Sequence, residues 1–245
     1  MSDAASNPAS DPASNPTGTP AGNPVVVVVG VGPGVGASVA RRYARAAYDV
    51  GLVGRDQATL THLGQELQTD GTTAGWCDAE VTDPAALAEA VEQLGSHGGR
   101  IDVLHFNPSA FRGKDLMELT VPELLADVAL GVGGLLTAAQ AARPFMGSGA
   151  RITATGSAAA DRPSADAATL GVQKAGLRNL VRSLDRALRP AGIRAASVTV
   201  NGVLRPADPS SPFHPDQVAE ALFAAAHQDE TAWRTEVAYP AAASP

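Results

Sequence analysis

The sequence predicts an α/β fold: one parallel sheet covered by helices on both faces. Three observations carry this. Residues 25–29 are five consecutive valines, introduced by Pro24. β-branched side chains with no polar alternation fit a strand buried on both sides, as parallel strands are. Strand and helix patterns then alternate to the end of the chain. A length of 245 residues suits one domain around one core.

The elements follow in order. Residues 25–29 form the first strand. Residues 34–47, with apolar positions at helical spacing, form the first helix. Residues 48–53 read as the second strand, ending at Gly54-Arg55-Asp56. Asp56 is placed to cap a helix running to residue 69. A short strand at 74–77 leads to Asp83-Pro84, a cap followed by proline at the first helical position, which opens a helix over 84–94. Residues 101–106 form a buried strand, and one helix spans 121–146. A strand follows at 151–155, a long amphipathic helix at 171–188, and a strand at 193–200. Residues 215–226 form the last helix and 235–239 the last strand. Residues 25–245 make a single domain.

Residues 1–24 differ from all of this. They repeat Ser-Asn-Pro and Ser-Asp-Pro with almost nothing hydrophobic, the composition of a disordered tail. The tail has no basic start and no apolar segment, so it is not a secretory signal. The net charge of −7 argues against a nucleic-acid surface. Cys77 is the single cysteine, so no internal disulfide forms, and a reducing cytoplasmic compartment is expected. In its strand Cys77 reads as a small buried thiol rather than a nucleophile. No apolar run is expected to approach the roughly 20 residues of a membrane span.

The segment between the first strand and the first helix is the most informative. Gly30, Gly32, Gly34 and Gly36 alternate through it, with Val35 between the last two. Gly32, Gly34 and Ala37 satisfy G-x-G-x-x-[GA], and Gly30, Gly34 and Gly36 satisfy G-x-x-x-G-x-G. A strand, a glycine turn and a helix point backbone N–H groups and a helix N-terminus at a phosphate. There is no Gly-Lys-[Ser/Thr], so a P-loop is excluded. A plain flexible turn would look similar, but the flanking strand and helix favour a dinucleotide.

Several segments together resemble the short-chain dehydrogenase/reductase family. They are Gly30-x-x-x-Gly34-x-Gly36; Glu80-Val81-Thr82-Asp83; Asp102-Val103-Leu104 before Asn107-Pro108-Ser109-Ala110; residues 152–157; Lys174-Ala175-Gly176-Leu177; and Val200-Asn201-Gly202. The resemblance covers roughly residues 24–240 and implies a Rossmann-type, doubly wound sheet. The Asn-Pro-Ser-Ala variant and the C-terminal pattern look like a divergent bacterial branch. Family enzymes move hydride between a nicotinamide and a carbonyl, alcohol, imine or alkene. They use a serine, a tyrosine and a lysine, supported by an asparagine. The resemblance places Ser157 at the serine and Lys174 at the lysine. The tyrosine position, four residues before Lys174, is Leu170. No tyrosine lies between Tyr48 and Tyr239. The asparagine position falls on Ala129. Leucine can neither donate nor accept the proton that accompanies hydride transfer.

Lys174 can hold the nicotinamide ribose hydroxyls; otherwise it is a solvated helix lysine. Ser157 can bond a substrate oxygen or its own turn. Asp161, Arg162 and Asp166 are expected near the substrate, where a desolvated acid could replace the missing donor, although Asp166 reads better as a helix cap. His105 reads as a satisfied core histidine and His214 as a surface-loop histidine rather than an acid or base. Family members that prefer NAD place an acidic residue where this chain has Gly54, and Arg55 follows. A guanidinium suits the 2′-phosphate of NADP, so NADP is expected over NAD. Glu80 is expected near the adenine amino group, and Asn107 beside the adenine ribose or stabilising the central strand.

The expected function is an NADP(H)-binding oxidoreductase reducing a small carbonyl, imine or enone with an atypical proton donor. Loss of redox chemistry is the alternative: a cyclase, isomerase or dehydratase, or a nucleotide-sensing or partner subunit. No metal, membrane or nucleic-acid partner is expected. A homodimer or homotetramer is, packed through small faces around residues 138–142 and 171–176.

Overall fold

The computed structural model describes residues 22–241, so all but the last three residues of the expected tail lie outside it. Seven strands, all parallel, form one sheet in the order β3-β2-β1-β4-β5-β6-β7. They are β1 (Val25–Val29), β2 (Asp49–Gly54), β3 (Ala74–Asp78), β4 (Val103–Phe106), β5 (Arg151–Ser157), β6 (Arg194–Val200) and β7 (Glu236–Tyr239). The strand order reverses between β1 and β4. Loops diverge there at the carboxyl ends of the strands and leave a crevice.

The valines of β1 are buried and divide by parity. Val27 and Val29 pack on one side of the sheet, Val26 and Val28 on the other. The first side carries α3 (Pro84–Gly98), α5 (Gly134–Ala142) and α6 (Ala168–Leu188). The second carries α1 (Val35–Ala44), α2 (Gln57–Thr69) and α7 (Pro215–Ala226). Two predicted caps form: Asp56 accepts from the Thr59 N–H at 2.9 Å, and Asp83 from Ala85 and Ala86 at 3.0 and 3.1 Å. Trp76 stands on β3 at one edge of the sheet. Trp233 stands toward the other edge, its Nε1 donating to the Ala195 carbonyl beside the guanidinium groups of Arg151 and Arg194.

Four expectations are corrected. The helix expected at 121–146 is broken into α4 (Val121–Val128), a π-turn (Ala129–Gly133) and α5. Gly131, Gly133 and Gly134 allow the break. A Cβ on Gly131 would lie 2.6 Å from Gln173 Oε1, and one on Gly134 would lie 2.3 Å from Val81 Cγ1. The run Val121–Phe145 is, contrary to expectation, long and apolar enough to cross a membrane by composition. Its Ala138, Ala139, Ala141 and Ala142 are buried in the core against α3 and the sheet. The same burial takes the four alanines of 138–142 out of any oligomer face, while Gln140 between them stays exposed. Cys77 is half-buried, its thiol donating to Gln93 Oε1 at 3.3 Å, and burial raises its pKa.

Candidate functional site

A cleft of about 740 Å³ opens at the carboxyl ends of the strands, where the order reverses. It brings together Gly30, Gly32, Gly34, Val35, Gly36, Arg55, Glu80, Asn107, Ser157 and Lys174, but not the alternative acids Asp161 and Asp166.

The glycine turn is built by geometry that side chains would block. Gly30 has φ +86°, and a Cβ there would lie 2.6 Å from the Pro108 ring. A Cβ on Gly36 would lie 2.7 Å from the Gly30 carbonyl oxygen, whereas Gly32 and Gly34 face open space. The N-terminus of α1 carries no side-chain cap and no acidic residue in its first turn; the Ala37 N–H turns back to the Gly32 carbonyl at 3.2 Å, and the Val35 and Gly36 N–H groups with the positive dipole end stay without a partner among the described residues. This is a cradle for a phosphate.

Arg55 is exposed at the cleft mouth and makes no hydrogen bond or ion pair among the described residues. Gly54 beside it is buried, and a Cβ there would lie 2.9 Å from the Val31 carbonyl oxygen. A carboxylate could not stand at that position without moving the turn. Glu80 is exposed on the cleft wall.

Lys174 is 3 % exposed, which removes the solvated-lysine reading. Its Nζ donates to the Thr155 carbonyl at 2.8 Å, its one hydrogen bond among the described residues. An ammonium has three donors. Burial pushes its pKa down to about 8. A buried cation with unspent donors on a cleft beside a bare glycine turn fits a nucleotide bearing both phosphates and a sugar diol. Ser157 Oγ accepts from the Ala159 N–H at 3.2 Å, so its own proton remains to donate. Leu170, one helical turn before Lys174, lines the same cleft, and among the described residues no tyrosine does. Ala129, in the π-turn, is exposed, and its neighbour Leu130 lines the cleft instead. Ala110, Phe111, Val200 and Leu204 complete an uncharged wall.

The other candidates lie elsewhere. Asp161 forms a two-pronged ion pair with Arg178 and, with Arg162, lines a separate charged groove along β7. Asp166 does not cap α6, whose N-cap is Ala167 without a side-chain bond. The Asp166 carbonyl instead accepts from the Lys114 N–H at 2.8 Å, and the Ala165 carbonyl from Leu116 at 2.9 Å. This strap ties 165–166, the two residues before the cap, to the 114–116 segment. His214 caps α7, accepting from the Asp216 N–H at 3.3 Å.

His105 is a satisfied core histidine, as expected. It is fully buried, with Nδ1 2.9 Å from Thr153 Oγ1 and Nε2 3.4 Å from Thr155 Oγ1. Burial, with the nearby Lys174 charge, pushes its pKa down to about 3. Asn107 staples strands: its Nδ2 donates to the Gly30 carbonyl at 3.0 Å and its Oδ1 accepts from Thr155 Oγ1 at 2.8 Å. Sequence reasoning missed Thr155 and Gln173. The buried Gln173 makes paired bonds to Ala110, at 2.8 Å to the carbonyl and 3.1 Å from the N–H, which fix the loop under the cleft. A glutamine on the inward stripe of α6, beside Lys174 and four residues before Leu177, was the available signal.

The short chain dehydrogenase family model matches residues 24–210. An uncharacterised oxidoreductase of Staphylococcus epidermidis is 23% identical over 184 residues, 74% of this chain and 79% of that one. A short-chain dehydrogenase of Burkholderia cenocepacia, solved in complex with NADP, superposes with a TM-score of 0.81 at 26% identity, over 89% of this chain and 96% of that one. A blue fluorescent protein from a metagenomic library, solved with NADPH, has a TM-score of 0.79 at 28% identity over the same shares.

Proposed function

The chain belongs to the short chain dehydrogenase family, and from that premise we propose that it is an oxidoreductase that binds NADP(H) in the cleft and reduces a small, neutral, apolar carbonyl, imine or enone. The observation that carries the reading is the buried Lys174 ammonium facing the same cleft as the uncapped glycine turn. In this reading the turn and the N-terminus of α1 hold the pyrophosphate. Lys174 holds the nicotinamide ribose, and Glu80 and Asn107 stand at the adenosine end. Arg55 meets the 2′-phosphate, and the crowding at Gly54 supports NADP over NAD. The NADP and NADPH complexes of similar proteins support the same choice.

Bound NADPH would supply hydride. The remaining work falls to this chain. Ser157 donates its free proton to the substrate oxygen and polarises it. Among the described residues, Lys174 is the sole ionisable side chain on the cleft wall away from Arg55 and Glu80. It is the acid, giving its Nζ proton to the reduced oxygen or nitrogen and regaining one from solvent. With its pKa at about 8, the donor form is lost as pH rises through that value, so reduction slows above it. Ala110, Phe111, Leu170, Val200 and Leu204 give the substrate end no charged partner, which favours an apolar substrate.

Leu170 favours a second reading: nucleotide binding without hydride transfer. Titration with NADPH and NADH, followed by NADPH oxidation over a panel of carbonyls, imines and enones, separates the two. The first reading expects tight NADPH, weaker NADH and turnover. Binding without any turnover supports the second, and binding of neither nucleotide overturns both.

A further inference from the structure

A line of hydrogen-bonded side chains runs from the buried Thr153 and His105 through the half-buried Thr155 and Asn107 to the glycine turn, and its polarity can be read from one end. The Gly30 carbonyl only accepts, so the Asn107 group 3.0 Å from it is the amide NH₂. Asn107 Oδ1 therefore points the other way and takes the Thr155 hydroxyl proton at 2.8 Å. That hydroxyl has one proton, now spent. His105 Nε2, 3.4 Å from the same oxygen, must be the donor. A neutral ring protonated at Nε2 leaves Nδ1 as acceptor, and the Thr153 hydroxyl, 2.9 Å away, supplies its proton. Every bond then points the same way, from Thr153 through His105, Thr155 and Asn107 to Gly30. The backbone carbonyl of the same Thr155 receives Lys174.

We propose that His105, held as its Nε2–H tautomer, is a positioning residue for the nucleotide cleft, fixing Thr155 and through it both the Asn107 amide on the glycine turn and the carbonyl that anchors Lys174. This rests on the NADP(H)-binding reading of the cleft. His105 touches no ligand itself, being fully buried in β4 between β1 and β5. Its contribution is to remove alternatives. Without the Nε2 donor the Thr155 hydroxyl can rotate, and Asn107 loses the proton that holds its amide in one orientation. Burial keeps the ring neutral through the ordinary pH range, so the direction of the line does not change there.

Nitrogen-15 correlation spectra of the imidazole rings of the full chain test the tautomer, with His105 assigned from its absence in His105→Gln. The expected pattern is a protonated Nε2 and a bare Nδ1; a proton on Nδ1 overturns the proposal. NADPH titration then compares His105→Val with His105→Gln, whose carboxamide supplies both a donor and an acceptor. His105→Val is expected to bind NADPH about tenfold more weakly, the scale of one lost buried hydrogen bond, and His105→Gln to bind close to the parent. A merely structural histidine would lower the melting temperature in His105→Val and leave NADPH affinity unchanged, which also overturns the proposal. If His105→Val does not fold, Thr155→Val takes its place with the same expectation. If the parent chain binds no NADPH, the reading of the cleft fails, while the tautomer spectrum still decides the line of hydrogen bonds.

Discussion

Arg55 concentrates the cofactor question in one guanidinium. It is exposed, unpaired among the described residues and adjacent to a position too crowded for a carboxylate. Arg55→Glu is expected to weaken NADPH binding tenfold or more and leave NADH little changed, read by parallel titrations. Tyr43 shows the opposite situation, a polar atom with no use. Its ring is 1 % exposed and packs against Tyr48 and Phe223, and its hydroxyl has no partner among the described residues. Burial raises its pKa far above the usual phenol range. Removing an unpaired buried hydroxyl without changing shape relieves a desolvation cost of about 1–3 kcal/mol. Tyr43→Phe is therefore expected to raise the midpoint of urea unfolding, with the slope unchanged.

At the scale of elements, the turn between β1 and α1 is held by backbone that cannot give way. Gly36→Ala would place a methyl group 2.7 Å from the Gly30 oxygen and 3.0 Å from Val31 Cα, so loss of NADPH binding together with a lower melting temperature is expected. The cap of α3 is a milder case: Asp83→Ala is expected to cost about 1 kcal/mol in chemical unfolding and to leave nucleotide affinity alone. These features were legible in the sequence because they are local. Five valines, a glycine alternation and two aspartates before helices each act within a few residues. What was not legible depends on distant partners. Three glycines inside an apolar helical pattern read as helix, and only the packing of Gly131 on Gln173 and Gly134 on Val81 turns them into a π-turn. Asp166 has the right identity and spacing for a cap, but the strap from 114–116 holds it off. Thr155 and Gln173 matter through bonds to residues 48 and 63 positions away.

For the whole molecule, the buried histidine makes acid stability a property of the core. His105 titrates near 3 when folded, against its ordinary value of 6.5. Between those values the unfolded chain binds a proton the folded one does not, so stability falls as pH drops from about 6.5 toward 3. Lys174 has the same sign at higher pH: its folded pKa of about 8 lies below the ordinary 10.5, so stability rises as pH climbs between them. Melting temperatures across pH 4–7 are expected to slope less steeply in His105→Val than in the parent chain; equal slopes would refute the assignment. The sheet also sets where the chain can be watched from. Its two tryptophans, Trp76 on β3 and Trp233 beyond β6, lie toward opposite edges with the cleft between them. With the cofactor that we propose for the cleft, they would be two optical donors on either side of a reduced nicotinamide, which absorbs where indole emits. Replacing one at a time would turn a single emission change into two bearings on the bound nucleotide, one from each edge. Trp233 lies beside two guanidinium groups and Trp76 against Gly64, so the two reference points differ in their surroundings.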